Sequence, residues 1–352
     1  MPLRLRRVLV AGGAGFLGSA FVRQRLRADP EIMITVLDKL TYAGSEENLA
    51  EVSGDPRLRF VRGDVADADL VNALSGDADA IINFAAESHV DRSLLDAGTF
   101  VQTDVYGTYV LLEAAKRHSH QRFLQVSTDE VYGHVKDGRS REDDRLAPAS
   151  PYSATKAGAE MLVNAYHVSF GLPTIVTRGS NTYGPYQFPE KIIPLFITNA
   201  LQDLPLPIYG KGAAVRDYLY VDDHVSAIAR ALWKGEPGSV YNIGSGNEVS
   251  GVEVADTVLR LCGKPSSLKY YVKDRPGHDY RYALDMRKLR PLGWEPSLPF
   301  AEGMRLTVDW YRSHERWWRT RKGDDFWRFY RENYRGLPAN AVPEGDGGQG
   351  RE

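Results

Sequence analysis

A glycine-rich turn near the start of the chain constrains its fold more than any other feature. The residues Gly12-Gly13-Ala14-Gly15-Phe16-Leu17-Gly18 follow an apolar run, Val8–Ala11, and precede a stretch of helical periodicity, Ala20–Ala28. Their glycines have G-x-x-G-x-x-G spacing, one residue longer in its first step than the dinucleotide fingerprint G-x-G-x-x-G. Such a turn lets the backbone approach a pyrophosphate and directs the amides of a helix N-terminus toward it. The position between a strand and a helix therefore predicts a dinucleotide site.

Short apolar runs alternate with helical patterns through the first half of the chain. Helical stretches such as Val101–Lys116 separate the runs, and parallel strands need crossovers of this kind. We therefore expect an α/β fold with a Rossmann-type, doubly wound parallel sheet. The predicted strands, all expected to be buried on both faces, are Val8–Ala11, Ile32–Leu37, Leu58–Val61, Ala80–Phe84, Phe123–Ser127 and Thr174–Arg178.

The pattern changes after about residue 180, where prolines interrupt the chain. Two later apolar runs, Tyr218–Val221 and Val240–Ile243, predict a return to the main sheet. Helical patterns at Val252–Cys262 and Phe300–Arg335 predict a smaller, mixed α/β C-terminal lobe that binds the substrate. The predicted first domain is thus 1–180 with 218–247, the predicted lobe is 181–217 and 248–335, and the composition of 336–352 favours disorder.

The composition excludes several classes of protein. A hydrophobic content of 43% and a charged content of 26% describe an ordinary globular chain of 352 residues. The net charge of −2 gives no general attraction to nucleic acid or an anionic membrane. No apolar run reaches the roughly 18 residues that cross a bilayer, and the glycine turn at Gly12 leaves no room for a signal-peptide core. The single Cys262 excludes an internal disulfide and a cysteine-based zinc site. We expect a cytoplasmic protein without a metal site.

Two carboxylates follow predicted strands near the glycine turn. Asp38 stands twenty residues beyond Gly18, where a carboxylate accepts hydrogen bonds from the adenosine ribose and repels a 2′-phosphate. The sequence therefore favours NAD over NADP, although the adjacent Lys39 weakens this argument. Asp64 follows the third predicted strand and is placed to reach the adenine; alternatively, it caps the next helix.

A tyrosine and a lysine at helical spacing form the predicted reacting pair. Tyr152-Ser153-Ala154-Thr155-Lys156 opens a helical pattern that runs to about Tyr166, with Pro151 at its entry. Side chains at i and i+4 share a helix face, so the ammonium should lower the phenol pKa from about 10. The same spacing at Tyr132–Lys136 lies among glycines that would not hold both side chains on one face. We therefore predict a structural role for Tyr132.

Two adjacent carboxylates lie in Ser127-Thr128-Asp129-Glu130-Val131-Tyr132-Gly133, just past the fifth predicted strand. Open α/β sheets bind ligands at this edge. Neighbouring carboxyls in a closed cleft titrate apart, which suits a general acid and a general base on adjacent carbons. The alternative is a solvated acidic loop. Because a simple alcohol oxidation needs one proton acceptor, the extra groups indicate further proton transfers, such as the expulsion of water.

Basic residues also occur in proline- and glycine-rich turns of the predicted lobe. Loops held in fixed shapes can clamp a second diphosphate, that of a nucleotide-sugar, whereas scattered basic residues are more often plain surface charges. These candidates are Lys191, Arg216, Arg275 and His278.

Taken together, these motifs resemble those of the extended short-chain dehydrogenase/reductases, and within them the dTDP-glucose 4,6-dehydratases. The resemblance extends from about Arg7 to Arg335, and the pair Asp129–Glu130 is its specific part, because sugar-nucleotide epimerases of the same fold typically lack both acids. The motifs that carry it are Gly12–Gly18, Asp38–Gly44, Ala85–Ser93, Ser127–Gly133, Tyr152–Lys156, Tyr183–Lys191 and Arg275–Asp279.

The resemblance implies a reaction. Tyr152, aided by Lys156, would take the proton of the glucose 4-hydroxyl while hydride passes to NAD. Glu130 would then remove the proton on carbon 5, and Asp129 would protonate the departing 6-hydroxyl. Hydride would return to carbon 6, giving the 4-keto-6-deoxy sugar and regenerated NAD. Thr128 would hydrogen-bond near the 4-oxygen.

The resemblance also implies binding residues and a homodimer that forms through the helices Val101–Lys116 and Tyr152–Tyr166. Positions that match the NAD site are Gly12, Gly15, Phe16, Leu17, Gly18, Asp38, Lys39, Leu40, Thr41, Asp64, Val65, Phe84, Ala85, Ala86, Ser88, Thr103, Tyr152 and Lys156. Positions that match the nucleotide-sugar pocket are Ser88, Thr128, Asn181, Lys191, Pro207, Tyr209, Arg216, Arg275 and His278.

Three positions depart from the family pattern, which usually has asparagine at Asp104, Thr182 and Gly251. Gly251 cannot make a side-chain hydrogen bond, which leaves the nucleotide preference open. Two other functions remain as alternatives: an NAD-dependent UDP-sugar epimerase or decarboxylase of the same fold, and a non-catalytic NAD-sensing regulator. Such a regulator would keep the glycine turn while losing the reacting residues.

Overall fold

A computed structural model of the chain describes residues 3–274 and 279–338. The strands within them are β1 (Arg7–Ala11), β2 (Met33–Asp38), β3 (Leu58–Arg62), β4 (Ala80–Asn83), β5 (Arg122–Thr128), β6 (Thr174–Gly179), β7 (Asn181–Tyr183), β8 (Leu206–Tyr209), β9 (Val215–Tyr220), β10 (Ser239–Ile243), β11 (Glu248–Ser250) and β12 (Lys269–Val272).

The α-helices are α1 (Phe16–Ala28), α2 (Ala68–Ser75), α3 (Val90–Leu95), α4 (Ala97–Phe100), α5 (Gly107–Arg117), α6 (Pro151–Phe170), α7 (Ile192–Leu201), α8 (Val221–Lys234), α9 (Gly251–Cys262), α10 (Phe300–Ser313), α11 (Glu315–Arg321) and α12 (Asp324–Asn333). Short 3-10 helices lie at Glu46–Val52, Asp129–Tyr132, Ser266–Leu268 and Arg290–Leu292, and a π-helical segment lies at Val101–Tyr106.

The main sheet of the described residues has seven parallel strands in the order β10-β6-β5-β4-β1-β2-β3. The order reverses between β1 and β4, and open sheets bind ligands at the carboxyl ends of the strands beside such a switch point. Val10 lies opposite both Val36 and Ile82, so apolar side chains continue across the centre of the sheet. The predicted Rossmann-type fold is confirmed.

Burial in the sheet follows strand position. β1 and β4 are central and almost wholly buried, as expected when helices cover both faces. The prediction of full burial was wrong for Leu58–Val61, because β3 is an edge strand whose residues are half-buried or exposed. Edge strands pair on one side only and tolerate charges such as Arg59 and Arg62.

The predicted return of two later runs to the main sheet was partly wrong. Val240–Ile243 lies in β10 and joins the sheet, whereas Tyr218–Tyr220 belongs to β9 in a three-stranded sheet of order β11-β9-β7. Val221 is not a strand residue, because it begins α8, which has Asp222 and Asp223 in its first turn. Acidic residues favour a helix N-terminus there.

The described residues fall into two compact units. The first lies within Met1–Thr182, Asp217–Asn247 and Arg281–Leu298, and the second within Tyr183–Arg216, Glu248–Tyr280 and Pro299–Glu352. Residues 281–298 were assigned to the smaller lobe by sequence, and the structure corrects this.

Hydrogen bonds to α8 explain that correction. The Ser297 and Leu298 amides both donate to Asp223 at 2.9 Å, and the Trp294 indole donates to Ser226 at 2.8 Å. The second unit contains β8 and β12, which pair in parallel, together with α7 and α9 to α12. Beyond Pro338, the tail that the sequence favours as disordered lies outside the described residues.

None of the helices in the described part of the chain combines the length and the apolar composition that crossing a bilayer requires.

Candidate active site

The glycine turn packs backbone against backbone. Gly12 has a φ of 73°, which favours glycine, and a Cβ there would lie 2.5 Å from the Ala85 nitrogen. A Cβ at Gly18 would overlap the Gly12 carbonyl. Gly15 is the N-cap of α1 and has no side chain to bond the first helix amides. The turn therefore lies against the segment that follows β4, with the helix N-terminus left to an anion.

Asp38 ends β2 and is held by backbone amides. Its carboxylate accepts the Ala14 amide at 2.9 Å and the Leu40 amide at 2.8 Å. Burial raises the pKa of Asp38, although these amides act in the opposite direction. Leu40 has a φ of 57°, which is uncommon for a residue with a Cβ. The carboxylate is thus fixed at the carboxyl edge of the sheet, with lone pairs remaining for a ribose.

Lys39 forms an ion pair with Asp64, with 2.5 Å between Nζ and Oδ2. Burial alone would raise the pKa of Asp64. The hydrogen bonds from Lys39 and Ala66, together with the Lys39 charge, outweigh burial, so the pKa lies below its ordinary value. This pairing offsets the Lys39 charge that weakened the argument for NAD. The alternative role of Asp64 as a helix cap was wrong, because Asp67 caps α2 by accepting the Leu70 amide.

The other predicted cofactor residues belong to three segments of the first unit. Thr41 follows Leu40, and Val65 is buried after β3. Phe84, Ala85, Ala86 and Ser88 lie in the segment after β4, whereas Thr103 lies in the π-helical segment. The close approach at Gly12, the fixed Asp38 and the uncapped α1 terminus fit a dinucleotide.

Tyr152 and Lys156 lie in the first turns of α6. The helix begins at Pro151 with Ser150 as N-cap, in a reciprocal capping box with Ser153. The Lys156 ammonium is buried and donates to the Val126 carbonyl at 2.7 Å. The Tyr152 ring packs edge-on against Phe100, with 6.3 Å between the ring centres.

The sequence predicts a lowered pKa for Tyr152, and this prediction was wrong. Burial raises the pKa well above its ordinary value, and the charges of Glu130, Asp104 and Asp129 add to this, whereas a hydrogen bond with Thr128 lowers it. Lys156 donates to a backbone carbonyl, and burial lowers its own pKa. The spacing alone did not reveal three carboxylates around the phenol.

The paired carboxylates lie on a 3-10 turn directly after β5. Thr128 is its N-cap, with its hydroxyl 3.3 Å from the Glu130 amide and from Asp129 Oδ1. Asp129 is only 3% exposed, and Glu130 is half-buried. The burial of Asp129 argues against a solvated acidic loop. The structure therefore brings Thr128, Asp129 and Glu130 to the Tyr152 phenol.

A buried network anchors this turn. The Tyr132 hydroxyl donates to Asn242 at 2.8 Å and accepts from Arg178 at 2.7 Å. Arg178 also donates to Glu160 of α6 at 2.7 Å. Tyr132 is thus part of a polar network, as its predicted structural role requires, while Lys136 lies in a loop. Sequence reasoning missed Arg178 and Glu160, which have no motif around them.

The predicted substrate residues are divided between the two units. Ser88 and Asn181 belong to the first; Lys191, Pro207, Tyr209 and Arg216 belong to the second. Arg216 is 8% exposed and donates to the carbonyl of Asp279 at 2.8 Å. Tyr209 accepts from Asn333 at 2.6 Å. Arg275 and His278 lie outside the described residues, and the joint role of these groups stays a prediction.

Two of the three departures from the family pattern differ in their surroundings: Thr182 has a specific partner, whereas nothing in the structure explains the glycine at position 251. Thr182 hydrogen-bonds His224 Nδ1 at 2.5 Å, and burial lowers the pKa of that histidine to about 4. The Gly251 amide donates to Ala214, and a Cβ there would meet its nearest neighbour, the Gly212 oxygen, at an ordinary 3.6 Å. A side chain therefore fits at position 251.

Comparisons with known proteins agree with this site. A family model described as GDP-mannose 4,6 dehydratase matches residues 9–307. A dTDP-glucose 4,6-dehydratase of Streptomyces niveus is 48% identical over 324 residues, which are 91% of this chain and 96% of the relative.

Solved structures give the same result. DesIV, a dTDP-glucose 4,6-dehydratase from Streptomyces venezuelae with NAD and TYD bound, has a TM-score of 0.88 at 49% identity, covering 90% of this chain and all of that one. A Thermus thermophilus UDP-glucose 4-epimerase in complex with NAD has a TM-score of 0.81 at 33% identity, covering 88% and 99%. The identity is thus higher to the dehydratases than to this epimerase. The chain belongs to the dTDP-glucose 4,6-dehydratase family of the extended short-chain dehydrogenase/reductases.

Proposed function

We propose that the chain is an NAD-dependent nucleotide-sugar 4,6-dehydratase, a carbon–oxygen lyase. It converts dTDP-D-glucose to dTDP-4-keto-6-deoxy-D-glucose and water, at the start of deoxysugar biosynthesis. One observation carries this proposal: the phenol of Tyr152, one helical turn from Lys156, hydrogen-bonds Thr128 and lies within electrostatic reach of Asp129 and Glu130. An enzyme that only oxidises and reduces carbon 4 has no use for both acids.

The cofactor site consists of the glycine turn Gly12–Gly18, Asp38, Asp64 and the segment after β4. When bound, NAD supplies the reversible two-electron oxidation of the sugar. Asp38 accepts from the ribose hydroxyls and disfavours a 2′-phosphate, which selects NAD. Because NAD is regenerated in each turnover, the purified protein should retain it, as release by acid and absorbance would reveal. Protein that is free of dinucleotide and gains no activity on addition of NAD contradicts the proposal.

Two residues of α6, Tyr152 and Lys156, act on the proton of the sugar 4-hydroxyl. Tyr152, in its phenolate form, accepts that proton as carbon 4 is oxidised, and Thr128 hydrogen-bonds the same region. Burial and three carboxylates favour the protonated phenol in the protein alone, and the positive charge that bound NAD carries acts in the opposite direction. The Lys156 cation favours the phenolate from one turn away.

The paired acids remove water. The ketone at carbon 4 acidifies the hydrogen on carbon 5, and Glu130 accepts that proton. The bond from carbon 6 to oxygen breaks as Asp129 gives its proton to the departing hydroxyl, so one water leaves. Glu130 gives its proton back to carbon 5 as hydride returns to carbon 6, which completes the 4-keto-6-deoxy sugar. Tyr152 then holds one proton more and Asp129 one fewer than at the start, and exchange of that proton through solvent restores both groups.

Incubation with dTDP-glucose tests this function. A 4-keto product, detected by its absorbance in alkali, is expected; a UDP-sugar epimerase gives none. Running dTDP-, UDP- and CDP-glucose side by side determines the nucleotide, which Gly251 leaves open. Retention of Tyr152, Lys156, Asp129 and Glu130 argues against the non-catalytic regulator.

We also propose a homodimer that forms through α5, α6 and the π-helical segment. Large apolar side chains on these elements are exposed, including Val101 at 51%, Tyr109 at 41% and Met161 at 52%. A cytoplasmic location is a further proposal, which cell fractionation tests.

A further inference from the structure

A buried carboxyl lies beside the reacting pair. Asp104 is only 1% exposed and lies in the π-helical segment, a type of turn frequent at functional sites. Its carbonyl accepts the Thr108 hydroxyl at 2.6 Å, and the Thr108 oxygen in turn accepts from Asn83 of β4 at 3.2 Å. The backbone of Asp104 is therefore tied to the central sheet.

The Asp104 carboxylate joins two segments of the site. One oxygen accepts the Glu87 amide at 3.0 Å, and the other accepts the Thr155 hydroxyl at 2.8 Å. Glu87 lies in the segment that approaches the glycine turn, and Thr155 directly precedes Lys156 on α6. The carboxylate thus holds the helix of the reacting pair against the predicted cofactor segment.

Charged groups surround Asp104 unevenly. The helix α4 carries no ionisable side chain, while α5 carries Tyr109, Glu113, Lys116 and Arg117, of which Glu113 and Lys116 pair with each other. The ionisable groups of α6 are Tyr152, Lys156, Glu160, Tyr166 and His167, the segment after β4 carries Glu87 and His89, and the π-helical segment itself also carries Tyr106. Burial raises the pKa of Asp104 to about 6, against the smaller opposing effect of the Lys156 charge. In return, Asp104 raises the pKa of both Lys156 and Tyr152.

We propose that Asp104 is a positioning residue that sets the protonation of the Tyr152–Lys156 pair. This proposal rests on the proposed dehydratase function, because the proton transfers of that reaction use the Tyr152–Lys156 pair. Removing the negative charge lets the phenol ionise at lower pH and lets the ammonium lose its proton at lower pH. Both the acidic and the basic limb of the bell-shaped pH profile of kcat then move to lower pH.

Asp104→Asn tests this role while preserving the local shape. The amide oxygen can accept from Glu87, and the amide nitrogen can donate to the Thr155 hydroxyl, which keeps its own proton for the Tyr152 carbonyl at 2.9 Å. The kcat of the variant with dTDP-glucose should shift to lower pH on both limbs, with KM unchanged. The matched control, Glu113→Gln, removes a carboxylate from the neighbouring α5 and should leave the profile in place.

Thr155→Val distinguishes the effect of the Asp104 charge from the effect of its hydrogen bond to α6. It removes one bond to Asp104 but keeps the carboxylate, so its basic limb should coincide with that of the wild type. A purely structural role predicts that Thr155→Val reproduces the Asp104→Asn profile. That result, or an Asp104→Asn profile superimposed on the wild type, overturns the proposal.

Thermal unfolding gives a readout that does not depend on turnover. Because the pKa of Asp104 is higher in the folded than in the unfolded protein, the folded state binds more protons between about pH 4 and 6. Wild-type stability therefore declines over this range as pH rises, and Asp104→Asn lacks this decline. The difference in Tm, variant minus wild type, should grow across the range; a constant difference contradicts the proposal. Absence of 4-keto product from the wild type would contradict the dehydratase function alone.

Discussion

At the scale of single residues, burial distinguishes the two neighbouring acids. Asp129 is 3% exposed and accepts from Thr128, whereas Glu130 is half-buried. Both act on the Tyr152 pKa, so both lie within electrostatic reach of the phenol. Different surroundings are what allow two carboxyls to take the separate roles of acid and base.

Asp129→Asn should stall the loss of water while leaving earlier steps intact. We expect kcat for the 4-keto product to fall about 10²- to 10⁴-fold, because general acid catalysis contributes that much. Glu130 remains, so deuterium from the solvent should still enter recovered dTDP-glucose, as mass spectrometry would reveal. Asp143→Asn is the control, since its side chain is 82% exposed. Unchanged turnover in Asp129→Asn refutes the acid role.

At the scale of elements, a buried ion pair connects the acidic turn to α6. Arg178 and Glu160 are 4% and 2% exposed, and Arg178 also donates to Tyr132. Removing one partner leaves the other charge buried without its counter-ion, which lowers the free energy of unfolding by about 3–5 kcal/mol. Glu160→Gln should therefore lower the free energy of unfolding by about that amount in urea titrations.

An exposed pair provides the comparison for this prediction. Glu302 lies 2.6 Å from Arg305 with both side chains about half exposed. Such pairs contribute about 0–1 kcal/mol, so Glu302→Gln should have little effect. Similar losses in the two variants would contradict the importance of the buried network.

A second element-scale prediction concerns the buried Lys322 of the second unit. Its ammonium donates to Asn199 at 2.8 Å and to Gln202 at 3.0 Å, and lies 4.7 Å from the centre of the Trp327 ring. Burial lowers the pKa of Lys322 well below its ordinary value. The unfolded state therefore binds more protons over the interval up to about pH 10, and this lysine makes stability rise with pH.

Lys322→Met should remove that rise. The difference in Tm, wild type minus variant, is expected to increase as pH increases toward about 10. Lys211→Met, at an exposed lysine of the same unit, is the control for loss of one positive charge, and its Tm should stay close to that of the wild type. A pH-independent difference for Lys322→Met would rule out the titration.

The elements also show how far a sequence can predict this structure. Val8–Ala11 and Phe123–Ser127 are readily found because strands buried on both faces are continuously apolar. The sheet that Tyr218 joins could not be deduced, since strand pairing is a nonlocal choice. The π-helical segment was hidden because its side chains keep a helical pattern. Asp104 meets Thr155 across 51 residues, so neither its burial nor its effect on Tyr152 has a local signature.

At the scale of the whole molecule, exposed apolar side chains argue for self-association. Met161 of α6 is 52% exposed, and Val168 and Phe170 on the same helix are 75% and 56% exposed. Clusters of this kind on a globular chain mark interaction surfaces. In a symmetric dimer the same patch serves both subunits, so one substitution removes two contacts.

Met161→Glu should therefore convert the proposed dimer into a monomer. Sedimentation velocity should give twice the chain mass of 39.3 kDa for the wild type and the single mass for this variant, because a carboxylate buried in an apolar interface is unpaired. Met33→Glu is a matched control, since Met33 is 51% exposed but begins β2, away from the helices in question. It should stay dimeric. A monomeric wild type, or equal dissociation of both variants, would place the interface elsewhere or remove it.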